Sequence, residues 1–160
     1  MEDVYEELAP SVIGYFRSRG VADPEDLCGD VFASAARGLP RFRGDAGDLR
    51  RWVFTIAHHR LVDEYRSASR NREQPVPHTP DVAADQRDTA IDQDLIDALA
   101  LLTDDQREVV TLRFVADLSI ADVARLLGKR TGAVKMLQAR GLDDLRHRLG
   151  GAVPESSGPA

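Results

Sequence analysis

The segment SIADVARLLGKRTGAVKMLQARG, residues 119–141, contains the pattern that decides the fold. It predicts two helices that cross at about a right angle over a short turn. Ala124 is small enough to lie where the helices touch, and Gly128 tolerates the left-handed backbone that the turn needs. The apolar residues that would face the core are Val123, Leu127, Val134 and Leu137. The segment is therefore predicted to be a helix-turn-helix.

The same register leaves the outer side of the second helix with Arg130, Thr131, Lys135, Met136 and Ala139. Such a helix places its N-terminal residues against base edges in the major groove. Lys135 can bond to guanine or phosphate, whereas Met136 and Ala139 offer only apolar contact with a thymine methyl group. Affinity should therefore depend on phosphate contacts and fall steeply with salt. The residues expected to make those contacts are Arg125, Lys129, Arg130 and Arg140.

Charge is distributed unevenly along this chain of 160 residues, whose formal net charge is −6. Residues 1–36 and 73–102 each have a net charge of −6, whereas 37–72 and 125–148 each have +5. Two basic blocks in an acidic chain indicate two anionic contact sites. The alternatives are ordinary solvated helices and, for the C-terminal block, a helical hairpin that does not bind DNA.

Composition excludes several classes of protein. Apolar residues make up 42% and charged residues 30% of the chain, as in soluble globular proteins. No run approaches the ~20 apolar residues of a membrane span, and the acidic first residues do not resemble a signal peptide. The single cysteine, Cys28, excludes an internal disulfide and a cysteine metal cluster. We therefore expect a cytoplasmic protein that does not insert into membranes.

The chain divides at residues 71–90, which contain three prolines and no apolar period. This composition predicts a flexible linker, and both flanking blocks have helical apolar spacing without a strand pattern. The predicted fold class is all-α, with two small helical domains. The predicted boundaries are a helical bundle at 1–72, an acidic linker at 73–91, a helix-turn-helix domain at 92–150 and a disordered tail at 151–160.

Three helical segments are predicted in the first block. Pro10 interrupts the first, so we expect a kink or two separate helices there. Asp23 precedes Pro24 and two acids, which is typical of a helix start. Asp48 can cap a third helix that runs to about Arg70. One face of this basic helix has Thr55, His58, His59, Val62 and Arg66, residue types that suit phosphate and base contacts.

In this arrangement the chain resembles the extracytoplasmic-function sigma factors of bacterial RNA polymerase, over most of residues 4–149. The segment DPEDLCGDVF, residues 23–32, is similar to the family helix that docks on a basic coiled coil of the largest polymerase subunit. The resemblance implies polymerase contacts for Asp26, Leu27, Asp30 and Phe32. Gly29 stands where glutamine is usual, and Ala36 stands where tryptophan is usual.

Residues 52–66 resemble the helix that opens and reads the minus-ten promoter element, with His58 and His59 replacing the usual Arg-Asn pair. The loop from Arg43 to Asp48 corresponds to the loop that captures a flipped base. The implied minus-ten contacts are Arg43, Arg50, Arg51, Trp52, Thr55, His58, His59 and Arg66.

The sequence GAVK, residues 132–135, resembles the start of the helix that reads the minus-thirty-five element, with Met136 and Leu137 replacing the more frequent Ser-Arg. The implied contacts there are Arg125, Lys129, Arg130, Thr131, Lys135, Met136, Ala139 and Arg140. The implied partners are core RNA polymerase, promoter DNA and an anti-sigma factor. The linker would lie in the polymerase cleft and mimic nucleic acid; a solvated tether is the alternative.

The resemblance implies a sigma factor that directs core polymerase to promoters through these two elements. No enzymatic activity, cofactor or metal site is expected, because adjacent helical residues such as His58 and His59 diverge by about 100°. Phosphate-loop and hydrolase motifs are also absent. Two alternatives remain: a helix-turn-helix regulator that is not a polymerase subunit, and an adaptor that binds only protein.

Overall fold

The computed structural model describes residues 2–70 and 93–150, and within these ranges the chain is helical and contains no strand. The all-α prediction is confirmed. The predicted linker and tail lie almost entirely outside the described residues. The helices are α1 (Glu2–Ser18), α2 (Pro24–Gly38), α3 (Ala46–Arg70), α4 (Gln93–Ala100), α5 (Asp104–Val110), α6 (Ile120–Leu127) and α7 (Thr131–Arg148). A 3₁₀ turn at Leu39–Arg41 follows α2, and a π-helical turn at Thr111–Val115 extends α5.

Helix α1 is one helix that continues through Pro10, where the sequence predicted a kink or a break. Pro10 is exposed, so its ring lies on the solvent side. Leu8, Val12 and Phe16 on the opposite side are buried. Burial of these side chains offsets the one backbone hydrogen bond that proline cannot donate.

Local hydrogen bonds explain where the other helices begin. The Asp23 side chain accepts a bond of 3.1 Å from the amide of Asp26 and starts α2 as predicted. Helix α3 begins earlier than predicted, because Asp45, and not Asp48, is its cap. The amide of Asp48 donates to Asp45 (2.9 Å), and the Asp48 side chain accepts from the amide of Asp45 (3.0 Å). This reciprocal pair places the turn of α3 before Asp48.

The apolar core has two parts. The larger part begins among α1, α2 and α3, where Val12, Phe16 and Phe54 are fully buried. It continues into the C-terminal half through Leu112 and Val123. We call residues 2–70 the N-terminal lobe and residues 93–150 the C-terminal lobe. The smaller part of the core joins α4, α5 and α7 within the C-terminal lobe. The two lobes therefore pack directly on each other and share one apolar core.

Gly141 allows α5 and α7 to approach closely. A Cβ atom at this position would lie 2.8 Å from Cγ2 of Val110, closer than real Cβ contacts. Glycine is unfavourable in a helix interior by about 1 kcal/mol relative to alanine. Its presence in the middle of α7 is explained by this packing, since the helix itself continues to Arg148.

Candidate nucleic-acid interfaces

The helix-turn-helix has the predicted register. Val123, Ala124 and Val134 are buried, and Leu127 and Leu137 are partly buried against the same core. Gly128 ends α6 in the left-handed conformation, with φ 65° and ψ 32°. The amide of Lys129 then donates to the Ala124 carbonyl at 2.9 Å, which closes the turn. Helix α7 is thereby held with its N-terminal end free of the core.

The residues predicted to read the minus-thirty-five element surround the first half of α7. Seven of them are exposed, including Lys135, and the remaining one, Lys129, is half-buried with its Nζ 3.7 Å from Asp105. The exposed members are Arg125, Arg130, Thr131, Lys135, Met136, Ala139 and Arg140. Five cations on an uncovered helix-turn-helix suit contact with duplex phosphates.

The residues predicted for the minus-ten element divide into two groups in the structure. Arg43, His59 and Arg66 are exposed. The guanidinium of Arg43 donates to the Phe42 carbonyl at 2.9 Å, which holds it beside the loop. Thr55 is half-buried, and its hydroxyl donates to the Arg51 carbonyl at 2.8 Å.

Trp52 positions the loop before α3. Its ring stacks on Phe42 with centroids 5.2 Å apart and planes inclined by 26°. A Cβ atom on Gly38 would lie 2.7 Å from Cζ2 of Trp52, so this glycine makes room for the indole. In this conformation Trp52 is half-buried, and one face of its ring already has an aromatic partner.

The second group of predicted minus-ten residues contacts the C-terminal lobe. Nη1 of Arg50 donates to the Ala116 carbonyl at 2.9 Å. Nη1 of Arg51 lies 3.3 Å from Oδ1 of Asp122, a residue of α6. Nδ1 of His58 lies 2.8 Å from Oε1 of Glu108, a residue of α5. Three of the eight predicted minus-ten residues are therefore engaged within the chain.

Glu108 is the centre of a charged cluster that sequence reasoning missed. Nη2 of Arg19 lies 3.3 Å from its Oε2, and the Arg19 side chain is only 3% exposed. The Tyr15 hydroxyl lies 3.3 Å from Nδ1 of His58, the other partner of Glu108. Tyr65 donates its hydroxyl proton to the Arg19 carbonyl at 2.6 Å. Arg19 and Glu108 are far apart in sequence, and no local spacing pattern indicates that they pair.

The cluster shifts the pKa values of its members. Burial acts to raise the pKa of Glu108, but the hydrogen bond from His58 and the charge of Arg19 outweigh it, so that pKa lies below its usual value. Burial acts to lower the pKa of Arg19, but the Glu108 carboxylate outweighs it and raises that pKa. Burial, followed by the charge of Glu108, raises the pKa of Tyr15. The pair Arg19–Glu108 is therefore held in its ionised form.

The residues predicted to dock on polymerase lie on α2 with two different orientations. Asp26 and Asp30 are exposed. Leu27 and Phe32 are 8% and 6% exposed, so in this structure they attach α2 to the core rather than present a surface. The Phe32 ring meets Tyr5 of α1 edge to face, with centroids 4.9 Å apart.

The described residues contain no group of three or more histidine, cysteine or acidic side chains placed to hold a metal ion. The rings of His58 and His59 have centroids 6.3 Å apart. None of the helices at 2–70 and 93–150 is both long and apolar enough to cross a membrane.

Two family descriptions match the two lobes. Sigma-70 region 2 matches residues 4–71, and Sigma-70, region 4 matches residues 98–147. The chain is 32% identical over 155 residues to the ECF RNA polymerase sigma factor BldN of Streptomyces coelicolor, covering 91% of this chain and 59% of BldN. It is 30% identical over 162 residues to the ECF RNA polymerase sigma factor SigD of Mycobacterium bovis, covering 93% of this chain and 76% of SigD.

The fold is also that of a solved sigma factor. RpoE from Bartonella quintana, crystallised in complex with the anti-sigma factor NepR, superposes with a TM-score of 0.73 at 24% identity, covering 94% of this chain and 98% of RpoE. A helix-turn-helix lobe packed on a three-helix lobe defines the sigma-70 class. Within that class, the chain belongs to the extracytoplasmic-function sigma factors.

Proposed function

We propose that this chain directs core RNA polymerase to specific promoters and takes part in initiation as a non-catalytic subunit in the cytoplasm, without a cofactor. The observation that carries the proposal is the exposed basic face of α7 on a helix-turn-helix with Lys135 outside and Val134 buried. A helix with this face enters the major groove and combines phosphate contacts with limited base readout. The family relationship, including that to SigD, supports the same role.

Upstream duplex recognition is assigned to α7 and the end of α6. Lys135 is the one residue of the face able to donate hydrogen bonds to a guanine edge from the middle of the exposed surface. Met136, which is 54% exposed, supplies the apolar contact for a thymine methyl group. The arginines around them bind phosphates and set the register.

The minus-ten element is assigned to the loop before α3 and to the exposed part of that helix. Arg43 lies next to the stacked pair Phe42 and Trp52, so charge and aromatic surface occur together. This combination suits single-stranded DNA, which is held by backbone charge and base stacking. His59 and Arg66 extend the same basic surface along α3.

Polymerase docking is assigned to the exposed acids of α2. Asp26 and Asp30 are four residues apart and therefore share one side of the helix. They face a basic partner in this proposal, while Leu27 and Phe32 support the helix from below. An anti-sigma factor is the third proposed partner, because RpoE, which shares this fold, was crystallised with one.

Run-off transcription tests the proposal directly. The purified chain is added to bacterial core polymerase with a pool of genomic promoter fragments, and transcripts are sequenced. We expect discrete promoter-specific transcripts that depend on the chain. If core polymerase binds the chain but yields none, the chain is an adaptor. Promoter binding without polymerase binding indicates a separate helix-turn-helix regulator.

A further inference from the structure

The C-terminal lobe covers part of the surface of α3 that the N-terminal lobe would use on DNA. The Arg50 guanidinium is held by the carbonyl of Ala116, and the Arg51 guanidinium by Asp122. One turn and more along the helix, His58 meets Glu108 and is only 15% exposed. The contacts follow one side of α3, and each ends on a different element of the C-terminal lobe.

The exposed residues on α3 provide an internal comparison. His59 is the sequence neighbour of His58 and is exposed, whereas His58 is covered. The covered groups are cationic or able to become so, and the groups that cover them are two carboxylates and a carbonyl oxygen. Carboxylates and carbonyl oxygens thus occupy the positions where phosphate oxygens of DNA would bind the same donors.

Burial makes this packing specific. Glu108 also pairs with Arg19, whose Nη1 is buried without a hydrogen-bond partner in the part of the chain that the structure describes. A buried arginine with so few partners is strongly destabilised if its carboxylate leaves. Apolar residues of both lobes share one core next to this pair. The packed arrangement is therefore favoured in the free chain, and separation of the lobes needs free energy from a partner.

We propose that the C-terminal lobe shields the minus-ten surface of α3 in the free protein, with Asp122, Glu108 and the Ala116 carbonyl standing in for DNA phosphates. This inference rests on the proposed role of α3. In the shielded state the chain binds single-stranded DNA weakly through its N-terminal lobe. A partner that draws the lobes apart releases Arg50, Arg51 and His58 together.

The first test measures whether the lobes are closed. Spin labels are attached at Ala36→Cys and Ala100→Cys, two exposed positions on different lobes, in a Cys28→Ser background. We expect one narrow distance distribution for the otherwise unchanged chain and a longer, broader one for Asp122→Arg, which faces Arg51. The double variant Arg51→Asp with Asp122→Arg restores opposite charges and should return the short distance. A broad distribution in the unchanged chain overturns the proposal.

The second test measures whether closure hides a DNA surface. The probe is a fluorescein-labelled single-stranded DNA of random sequence, read by anisotropy with the full chain. Asp122→Arg should tighten binding about threefold or more, because it frees two arginines for phosphate contacts. Asp143→Arg makes the same charge change at an exposed position away from α3 and should have a smaller effect. Equal effects of the two variants overturn the shielding.

These readouts are separate from transcription. If the lobes open and single-stranded DNA binding rises, the shielding stands even when no promoter-specific transcript is found, in which case the proposed function alone is wrong. If transcripts are found but Asp122→Arg neither lengthens the distance nor tightens DNA binding, the shielding alone is wrong.

Discussion

The two basic surfaces of the molecule differ in what covers them. The surface on α7 is open, and Lys135, Arg130 and Arg140 are exposed. The surface on α3 has the same net charge in its sequence block, yet Arg50 and Arg51 are bonded to the other lobe. Charge along a sequence therefore indicates where anions are attracted, while packing decides which of those sites the free protein can use.

The strongest way to break this comparison is to remove the carboxylate at its centre. Glu108→Ala leaves the buried Arg19 without its ion-pair partner, so we expect a loss of about 3 kcal/mol in the free energy of unfolding. Urea denaturation followed by circular dichroism measures it. Asp104→Ala also removes an acid from α5, but its side chain is 88% exposed, so this control should change stability far less. Similar losses in both variants would contradict a central role for Glu108.

The open surface is tested by removing its cations. Arg130→Ala combined with Lys135→Ala should lower the affinity of polymerase-bound protein for duplex containing an upstream element by about tenfold or more, since two charge-assisted contacts are lost. Anisotropy with labelled duplex measures it at fixed salt. Polymerase binding should not change. A loss of polymerase binding instead would show that the faces are assigned wrongly.

The packing beneath the open surface is tested at Gly141. Gly141→Ala places a Cβ atom 2.8 Å from Val110, and overpacking of this kind costs about 1–3 kcal/mol. Thermal unfolding measures the change. Gly132→Ala is the matched control, because it lies in the same helix with nothing within 4 Å of its Cβ position. This control should be neutral or stabilising, and destabilisation by both variants would remove the packing explanation.

The smallest expected effect is that of acid on the shielded surface. The pKa of Glu108 is lower in the folded chain than its usual value. Its contribution to stability is therefore complete above about pH 4.3, the ordinary glutamate pKa, and is lost as the pH falls through the lower folded pKa. Glu108→Gln should flatten that part of the stability curve, measured by urea midpoints between about pH 3 and pH 6. An unchanged slope would show that Glu108 does not titrate with folding.

Local patterns predicted most of the fold. Apolar spacing, the Asp23 and Thr103 caps and the turn at Gly128 all depend on residues within a few positions of each other. The Thr103 cap, for example, is reciprocal: its hydroxyl accepts from the amide of Gln106, whose side chain accepts from the amide of Thr103. Pro10 was misjudged because the packing of α1, and not its local propensity, decides whether the helix continues.

The candidate site was predicted less completely, for a physical reason. Which side of α7 faces outward follows from Val134 and Lys135 alone, because adjacent residues point in different directions. The covering of Arg50 and Arg51 depends on residues of the other lobe, and the pairing of Arg19 with Glu108 joins the lobes across the linker. Such contacts arise only when the whole chain folds, so no spacing within one segment indicates them.

The indole of Trp52 has a further use. It is the chain's single tryptophan and stacks on Phe42 at the loop that precedes α3. Its fluorescence is therefore an intrinsic optical reporter of that one loop, needing no added dye. When a base displaces Phe42 from the indole, the emission changes, and stopped-flow mixing can time strand capture separately from docking on the enzyme.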